Sequence, residues 1–479
     1  MNPLLKRLLA FALLSVFAAV LCISCVGGES EEIVPEYTSQ MTGDIDLNNK
    51  TFVFGMVKDY FFEGKDSVLT YIYNTEFADL ALKRIQDVEK KHNCKIEFAY
   101  YDRASEAAYI DAISNSHRND LIQEETYWLA NYIPTGIFVD LNTLDHIDVT
   151  NEEKWGNRQL LLPSMWNGEM YGVVPAMHPL RTQNSVSGLI GINEDYIKIM
   201  GVTDPRDFYE NKTWNWDTFT TVLTDYTFVA LSGDRIPSFS ADASRFIRCV
   251  AFSNGDDFVT YNTEDGTFEL GLFSTTALTA LNQWYDWMNG PTRDSMDVTN
   301  DTNQYYGVDA LNAGNCVMGH LEAFQVLSNT NSVAYNLDNF GLVPYPYGPD
   351  AEPGWFRTYC ESTDFTICIP VTAEDPEATA VVMDALYEPF EGYETRDALI
   401  YYLDKNYFLD TRDSELFAEI ADPSRAYYLP TTSGLYDVWP DLCARTPAES
   451  LAKYKDLMYT KAEQYLLPQI RTMYEVYGG

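Results

Sequence analysis

The fold is decided by residues 162–219, which read LPSMWNGEMYGVVPAMHPLRTQNSVSGLIGINEDYIKIMGVTDPRDFYENKTWNWDTF. The dipeptide Asn167-Gly168 lies between apolar residues and predicts a hairpin turn. Pro175 cannot donate a ladder hydrogen bond, so it ends the return strand. An apolar strand follows, and Asn193 is placed to cap a helix that Gly201 ends. The stretch therefore predicts a hairpin, a loop, a buried strand and a short helix in that order.

Upstream of this stretch, strands alternate with helices. Phe77, Ala81, Ile85 and Val88 recur at helical spacing between two of the strands. A helical crossover between neighbouring strands makes them parallel. Strands are predicted at 51–57, 95–100 and 120–122.

Three side chains follow the third of these strands. In open parallel sheets a ligand lies beyond the carboxyl ends of the strands. Glu125, Tyr127 and Trp128 fall at that position, with a helix start and a packed tryptophan as the alternative interpretation. We therefore expect them to contact a ligand.

The length and composition of the chain narrow the choice of function. At 479 residues the chain exceeds what one core organises, so two lobes are expected. The net charge of −39 argues against nucleic acids and against anionic ligands. Aromatic residues make up 14% of the chain and suit an uncharged sugar, because rings cover its C–H faces while polar groups bond its hydroxyls. The sequence contains no signature of a catalytic, metal or cofactor site, and we expect none.

The first residues predict export from the cell. Lys6 and Arg7 precede an apolar run at 8–23 that is short for a membrane span of about 20 residues, which is typical of a signal peptide. Ser24 before Cys25 resembles a bacterial lipobox, which implies cleavage after residue 24 and a lipid on Cys25. An uncleaved anchor is the alternative. Residues 25–45 are acidic and lack apolar periodicity, which predicts a flexible tether.

Six cysteines remain after Cys25. Their density is far below that of a disulfide scaffold, so buried free thiols are expected. A bridge between Cys360 and Cys368 is the alternative left open.

The chain carries a series of motifs in a fixed order: Asn167 to Gly172, Asn193 to Asp195, Gly201-Val202, Lys212 to Trp214, residues 311–324 and residues 340–348. Together these motifs resemble the extracellular sugar-binding proteins of bacterial ABC importers. In that family a hairpin leads into a crossover between two lobes, then a strand, a Gly-Val turn and a Lys-Thr-Trp before a helix. Ile192 and Phe324 stand where the family often has aromatic or tryptophan residues.

The resemblance implies an α/β fold of the type II, two-lobe, periplasmic-binding-protein-like class. Each lobe would be a mostly parallel sheet flanked by helices, and about three crossovers, near Pro175, Leu342 and Asn406, would act as hinges. The first lobe would hold residues 46–175 and 343–405. The second lobe would hold residues 176–342 and 406–479.

The resemblance also implies a function. The protein would be a monomer on the extracellular face of the membrane, or in the periplasm if there is an outer membrane, that captures a carbohydrate and delivers it unchanged to a permease. The open alternatives are a surface-anchored carbohydrate-active enzyme and a receptor of the same fold for a peptide or an amine. The implied ligand contacts are Glu125, Tyr127, Trp128 and Trp355 from the first lobe and His178, Glu322, Phe324 and Trp439 from the second.

Overall fold

The computed structural model describes residues 43–57, 67–69, 71–72, 75–180, 183–327, 331–360 and 366–478. The predicted signal peptide, Cys25 and the tether up to residue 42 lie outside the described residues. Within these ranges, no helix has the length and apolar character needed to cross a bilayer.

Two main sheets organise the described chain. Their strands are β1 Lys50–Val57, β2 Cys94–Tyr101, β3 Leu121–Glu124, β4 Ser187–Asn193, β5 Phe239–Asp242, β6 Met296–Thr299, β7 Met318–Glu322, β8 Phe340–Pro344, β9 Thr358–Cys360, β10 Thr366–Cys368 and β11 Ala426–Tyr428. The smaller sheet has the order β10-β3-β1-β2, and the larger has the order β6-β5-β7-β4-β9-β11 with β8 also paired to β4.

The strand directions are mixed. In the smaller sheet β1 is parallel to β2 and β3, as predicted, and β10 is antiparallel to β3. In the larger sheet β4 is antiparallel to β7, β8 and β9, whereas the other pairs are parallel. The prediction of a mostly parallel sheet therefore fits the smaller sheet and not the strands around β4.

Helices flank both sheets, and small hairpins project from them. The additional two-stranded sheets are Ser67–Val68 with Tyr71–Ile72, Met165–Trp166 with Glu169–Met170, Phe228–Val229 with Arg235–Ile236, and Val259–Asn262 with Thr267–Leu270. The α-helices are Glu76–Lys91, Ala104–Ser114, Thr126–Leu129, Glu152–Trp155, Arg158–Leu161, Glu194–Met200, Pro205–Glu210, Trp216–Asp225, Ala243–Ala251, Thr275–Asn289, Tyr306–Asn312, Phe324–Leu327, Val333–Asn336, Pro376–Leu386, Arg396–Asn406, Thr411–Ile420, Val438–Ala444, Pro447–Lys461 and Leu467–Val476.

The local signals of residues 162–219 produce the predicted structure. Asn167 and Gly168 have φ values of 51° and 92°, which a tight two-residue hairpin turn requires. The Asn193 side chain accepts a hydrogen bond from the Tyr196 N–H at 3.3 Å, and Gly201 ends that helix with φ 64°. The predicted hairpin, cap and stop are therefore confirmed.

The chain passes between the sheets three times, between β3 and β4, between β9 and β10, and between β10 and β11. Three crossovers were predicted, but the second lies after Cys360 rather than near Leu342. The reason is that β8 and β9 both pair with β4, which keeps residues 340–360 with the larger sheet. The lobe boundary was predicted at residue 343, whereas the strand pairing puts the change of sheet between Cys360 and Thr366.

The C-terminal helix Leu467–Val476 was predicted to belong to the second lobe, but it contacts elements of both. The Gly168 N–H in the first hairpin donates to Thr472 Oγ1 at 2.7 Å. The Tyr261 hydroxyl, in a hairpin that precedes β6, donates to Glu475 Oε1 at 2.5 Å. The helix therefore connects the hairpin at residues 165–170, which follows β3, with the hairpin at residues 259–270, which precedes β6.

The smaller sheet's half also contains a buried cation. Lys154 is 3% exposed, and its Nζ donates to Asp384 Oδ1 at 2.6 Å and to Glu388 Oε1 at 2.9 Å. The same nitrogen donates to the Asp384 carbonyl at 2.9 Å. These bonds hold the helix Glu152–Trp155 to Pro376–Leu386, because a buried charge must keep its partners.

Replacing Lys154 tests this contact. Lys154→Met leaves two buried carboxylates without their cation, so the free energy of unfolding should fall by about 3–5 kcal/mol. The matched control is Lys83→Met, which removes an exposed pair with Glu391 at 3.4 Å and should cost about 1 kcal/mol or less. Urea unfolding followed by circular dichroism measures both values, and equal losses would contradict the assignment.

Candidate functional site

The carboxyl end of β3 begins one wall of the site. Glu124 is 0% exposed, and its carboxylate accepts bonds from the Ser105 N–H and hydroxyl at 3.2 Å and from the Glu125 N–H at 3.1 Å. Burial raises the pKa of Glu124 above its usual range. This carboxyl group fixes the turn that presents the residues after the strand.

Tyr127 and Trp128 form an aromatic pair directly after this turn. Their rings lie 4.7 Å apart and nearly perpendicular, and the Arg103 guanidinium lies 3.7 Å from the centre of the Trp128 ring. The Tyr127 ring is 40% exposed, while Glu125 and Trp128 are half-buried. The structure therefore brings these three predicted contacts together at one surface, beyond the strand end where a ligand was expected.

A second wall lies at the carboxyl ends of β5 and β7. Arg245 Nε donates to Glu322 Oε1 at 2.8 Å, and a second guanidinium nitrogen lies 3.5 Å from Asp242 Oδ2. Burial raises the pKa of Asp242, although the adjacent Arg245 acts in the opposite direction. The predicted contact Glu322 is therefore held in a nearly dry ion pair. Phe324 is half-buried beside it, with its ring 6.3 Å from that of Tyr305.

His178 and Trp439 lie in the core, and both are 0% exposed. The His178 ring lies 4.4 Å from Phe390 and 5.1 Å from Tyr387. The Trp439 ring lies 6.5 Å from Phe252. Neither side chain reaches the surface, because each is enclosed by aromatic neighbours. His178 was predicted as a ligand contact because it lies near a crossing, and Trp439 because it lies before a long helix. These positions in the sequence do not determine which way a side chain points.

Trp355 was predicted to lie in the first lobe, but the strand pairing places it with the larger sheet. Trp355 lies between β8 and β9, and both strands pair with β4 of the larger sheet. The next side chains are Phe356, which packs edge-on against Tyr209 at 6.1 Å, and Arg357, which forms an ion pair with Asp257. Trp355 is half-buried and belongs with the larger sheet.

A cavity of 290 Å³ lies between the segment after β3 and the end of β11. Its lining comes from the segment after β3, from the first hairpin, from β11 and the loop after it, and from the C-terminal helical run. None of the eight predicted contacts is among its lining residues. The lining residues are Ala130, Asn131, Pro134, Trp166, Tyr428, Pro430, Thr432, Ser433, Leu435, Lys461, Tyr465, Leu466 and Gln469.

The cavity adjoins the aromatic pair. The Asn131 side-chain amide donates to the carbonyls of Tyr127 and Trp128 at 3.4 and 3.5 Å. Asn131 itself lines the cavity, so one short helical segment carries both features. We define the candidate site as the cavity together with this aromatic pair.

Sequence reasoning missed the aromatic residues of the cavity. Trp166 had a visible signal, because it stands beside the Asn167-Gly168 turn, whose tight geometry sets where the ring lies. Tyr465 had none, since it lies in a π-helical turn, Ala462–Leu466, inside a run that reads as continuous helix. Tyr428 ends β11, an edge strand of three residues that no periodicity marks.

The lining combines aromatic rings with amides and hydroxyls. Rings and aliphatic groups can cover apolar faces of a ligand, and the polar groups can bond its hydroxyls. Among the described residues, no cluster of histidine, cysteine and carboxylate side chains is arranged to hold a metal ion. Cys360 and Cys368 are both free, so the bridge between them is not formed.

A family model described as bacterial extracellular solute-binding protein matches residues 83–389 of the chain. No curated protein matches the chain in sequence. The chain is similar in structure to the cyclic α-maltosyl-1,6-maltose binding protein from Arthrobacter globiformis, with a TM-score of 0.58 at 12% identity over 85% of this chain and 97% of that one.

Two further solved structures are similar. One is a cyclo/maltodextrin-binding protein complexed with maltotetraose, with a TM-score of 0.57, 12% identity, and coverage of 89% of this chain and 99% of that one. The other is UgpB from Mycobacterium tuberculosis in complex with glycerophosphocholine, with a TM-score of 0.53, 13% identity, and coverage of 81% and 96%. These likenesses confirm the predicted two-lobe α/β fold.

Removing one tryptophan from the core and one from the cavity tests the placement of both. Trp439 is wholly buried, so Trp439→Ala should lower the free energy of unfolding by about 3–5 kcal/mol. Trp166 is half-buried beside a cavity, so Trp166→Ala should cost about 2 kcal/mol or less. Urea unfolding measures both, and the reverse order would show that the two side chains are misplaced.

Proposed function

Because this chain belongs to the bacterial extracellular solute-binding proteins, we propose that its solute is a carbohydrate, which it delivers unchanged to an ABC importer. The observation that carries the proposal is the lining of the cavity. Three rings, those of Trp166, Tyr428 and Tyr465, face one space with the neutral side chains of Asn131 and Gln469. A sugar offers apolar C–H faces to such rings and hydroxyls to such amides.

The size of the cavity favours a ligand that extends beyond it. Its 290 Å³ is at the low end of the range of about 300–1,000 Å³ that ligand pockets occupy. The aromatic pair Tyr127–Trp128 continues from the cavity, with Glu125 beside it. We assign these three residues to further sugar units, and Glu322 and Phe324 to the opposite wall. An oligosaccharide would use both parts of the site.

The similar solved structures support the proposal through what they are described as binding. Two of them are described as binding proteins for a cyclic maltosyl-maltose and for cyclodextrin and maltodextrin. A third, of the same fold, is in complex with glycerophosphocholine. The fold thus accepts different solutes, and the aromatic lining is the reason to prefer a carbohydrate here.

Capture would proceed by closure of the two halves. The walls of the site come from strand ends of both sheets, so a bound glycan touches both halves. Ligand then favours the closed arrangement by its higher affinity for it, and the three passages between the sheets supply the hinges. The closed form would dock on the membrane permease. Catalysis has no part in this mechanism.

The position outside the cell follows from the family, and the anchor is a proposal. A lipid on Cys25 would hold the protein at the membrane, and the tether at 25–45 would keep the folded part clear of the surface. Retention near the membrane shortens the path from the captured solute to the permease.

Ligand screening tests the proposed solute. The full chain is screened by thermal shift against oligosaccharides, peptides and polyamines, and a binding glycan at about 100 times its Kd should add about 2.7 kcal/mol of stability. Trp166→Ala should weaken binding at least about tenfold, because a stacking ring is lost. Tyr401→Ala is the control, since Tyr401 is 69% exposed and does not line the cavity.

The same screen distinguishes the alternatives. Mass spectrometry of the recovered sugar should show an unchanged molecule, and the radius of gyration from X-ray scattering should fall on binding. Release of shorter oligosaccharides would indicate a carbohydrate-active enzyme. A response to peptides or polyamines alone would indicate a receptor for a different solute.

Cell fractionation tests the anchor. Cys25→Ala removes the only sulfur that the proposed lipobox presents for lipidation, so the protein should move from the membrane fraction to the soluble or secreted fraction. Cys22→Ala is the matched control and should leave the protein in the membrane fraction. Retention of the Cys25 variant at the membrane would indicate an uncleaved N-terminal anchor instead.

A further inference from the structure

One charged side chain is present among the described residues that line the cavity, and it is a cation. Lys461 stands there with rings, aliphatic groups, amides and hydroxyls, and no carboxylate joins it. The chain as a whole has 71 acidic and 32 basic residues. With this composition a cavity lining would be expected to contain more carboxylates than cations, and this lining shows the opposite. The charge inside the cavity is therefore opposite in sign to that of the protein.

Two contacts hold Lys461 against the cavity wall. Gly434 has φ 89°, and a Cβ built on it would lie 2.6 Å from Lys461 Cγ, so the lysine stem lies against the glycine backbone. The Lys461 Nζ lies 5.2 Å from the centre of the Tyr465 ring, within the range of a cation–π contact. A larger residue at 434 would displace the stem.

The π-helical turn places Lys461 beside its neighbours in the lining. The Leu467 N–H bonds to the Ala462 carbonyl, five residues back. In an α-helix two residues five apart point about 140° away from each other, and the wider π turn brings them closer to one face. Lys461 and Leu466 accordingly line the same cavity. π-turns of this kind frequently occur at functional sites.

The Lys461 ammonium forms no ion pair with any described residue. The carboxylate of Asp437, near Gly434 in the chain, accepts bonds from the Gly434 N–H at 3.0 Å and the Ser433 hydroxyl at 3.4 Å. Lys453, eight residues earlier in the same helical run, is paired with Asp441 at 2.6 Å. Lys461 thus remains available to a ligand.

We propose that Lys461 binds one singly charged acidic group on the captured glycan, either the carboxylate of a uronic acid or a sulfate ester. The inference rests on the proposed function and specifies its substrate class. A lone ammonium matches a single negative charge, and the lining holds no arginine fork for a doubly charged phosphate. The protein's net charge acts over about 8 Å at physiological salt, whereas Lys461 acts by contact inside the cavity.

Matched pairs of ligands test this selectivity on the full chain by isothermal titration calorimetry. The pairs are trigalacturonate with its trimethyl ester, an aldotetraouronic acid with xylotetraose, and neocarrabiose 4-sulfate with its unsulfated, neutral form. At least one acidic form should bind about tenfold more tightly than its neutral partner at about 50 mM NaCl, and less so at about 500 mM. The first two pairs report a carboxylate and the third a sulfate ester.

Variants assign the preference to one side chain. Lys461→Met should reduce the preference to about twofold or less by weakening only the acidic form, while Lys461→Arg should keep most of it. Lys455→Met is the matched control, because Lys455 is exposed on the same helix and does not line the cavity. Thermal unfolding without ligand confirms that each variant is folded.

Each outcome has one meaning. Equal binding of acidic and neutral forms by the unaltered protein overturns the inference and leaves the proposed carbohydrate function standing. A preference that survives in Lys461→Met overturns the assignment to this residue. Failure of every glycan in both forms, and in the wider screen, overturns the inference together with the proposed function.

Discussion

The structure depends on the reversed direction of β4. This strand is antiparallel to β7, β8 and β9, and all seven of its residues are buried. Because it runs opposite to its partners, its first residue, Ser187, pairs with Glu322 at the end of β7 and with Tyr359 in β9. The chain therefore enters the larger sheet at the edge where its neighbours end. β9 also ends at this edge, and the chain leaves from there for the smaller sheet.

This arrangement places the passage from β3 to β4, the passage from β9 to β10 and the predicted contact Glu322 at the same edge. Carboxyl ends of parallel strands leave an open crevice, which is where solutes bind in open α/β sheets. Two of the segments that cross between the sheets, from β3 to β4 and from β9 to β10, start and finish beside that edge. A small rotation about them would move one half relative to the other. The C-terminal helix adds a constraint, because Thr472 bonds the first hairpin and Glu475 bonds Tyr261. The closure proposed above would have to bend this helical run or slide it, and the π-helical turn Ala462–Leu466 is its irregular point.

Much of the fold follows from local signals, and much of the site does not. Asn167-Gly168, Asn193 and Gly201 determine backbone conformation within a few residues, so the hairpin, the cap and the stop were predictable. Such local signals do not determine whether a side chain points into the core or toward a ligand. His178 and Trp439 stand near predicted crossings or helix starts, yet their rings point into the core, because distant aromatic residues such as Phe390 and Phe252 enclose them. The sequence neighbours of a side chain do not contain that information.

The same distinction separates the charge of the protein from the charge of the site. Composition argued against anionic ligands, because the field of a chain with net charge −39 repels them at long range. That field is screened within about 8 Å at physiological salt, while a ligand in the cavity meets its lining at contact distance. The lining holds Lys461 and no carboxylate, and the predicted contact Glu322 is, like Asp242, already paired with Arg245. Net charge therefore governs how fast an anion arrives, whereas the pairing of individual side chains governs which ligand stays.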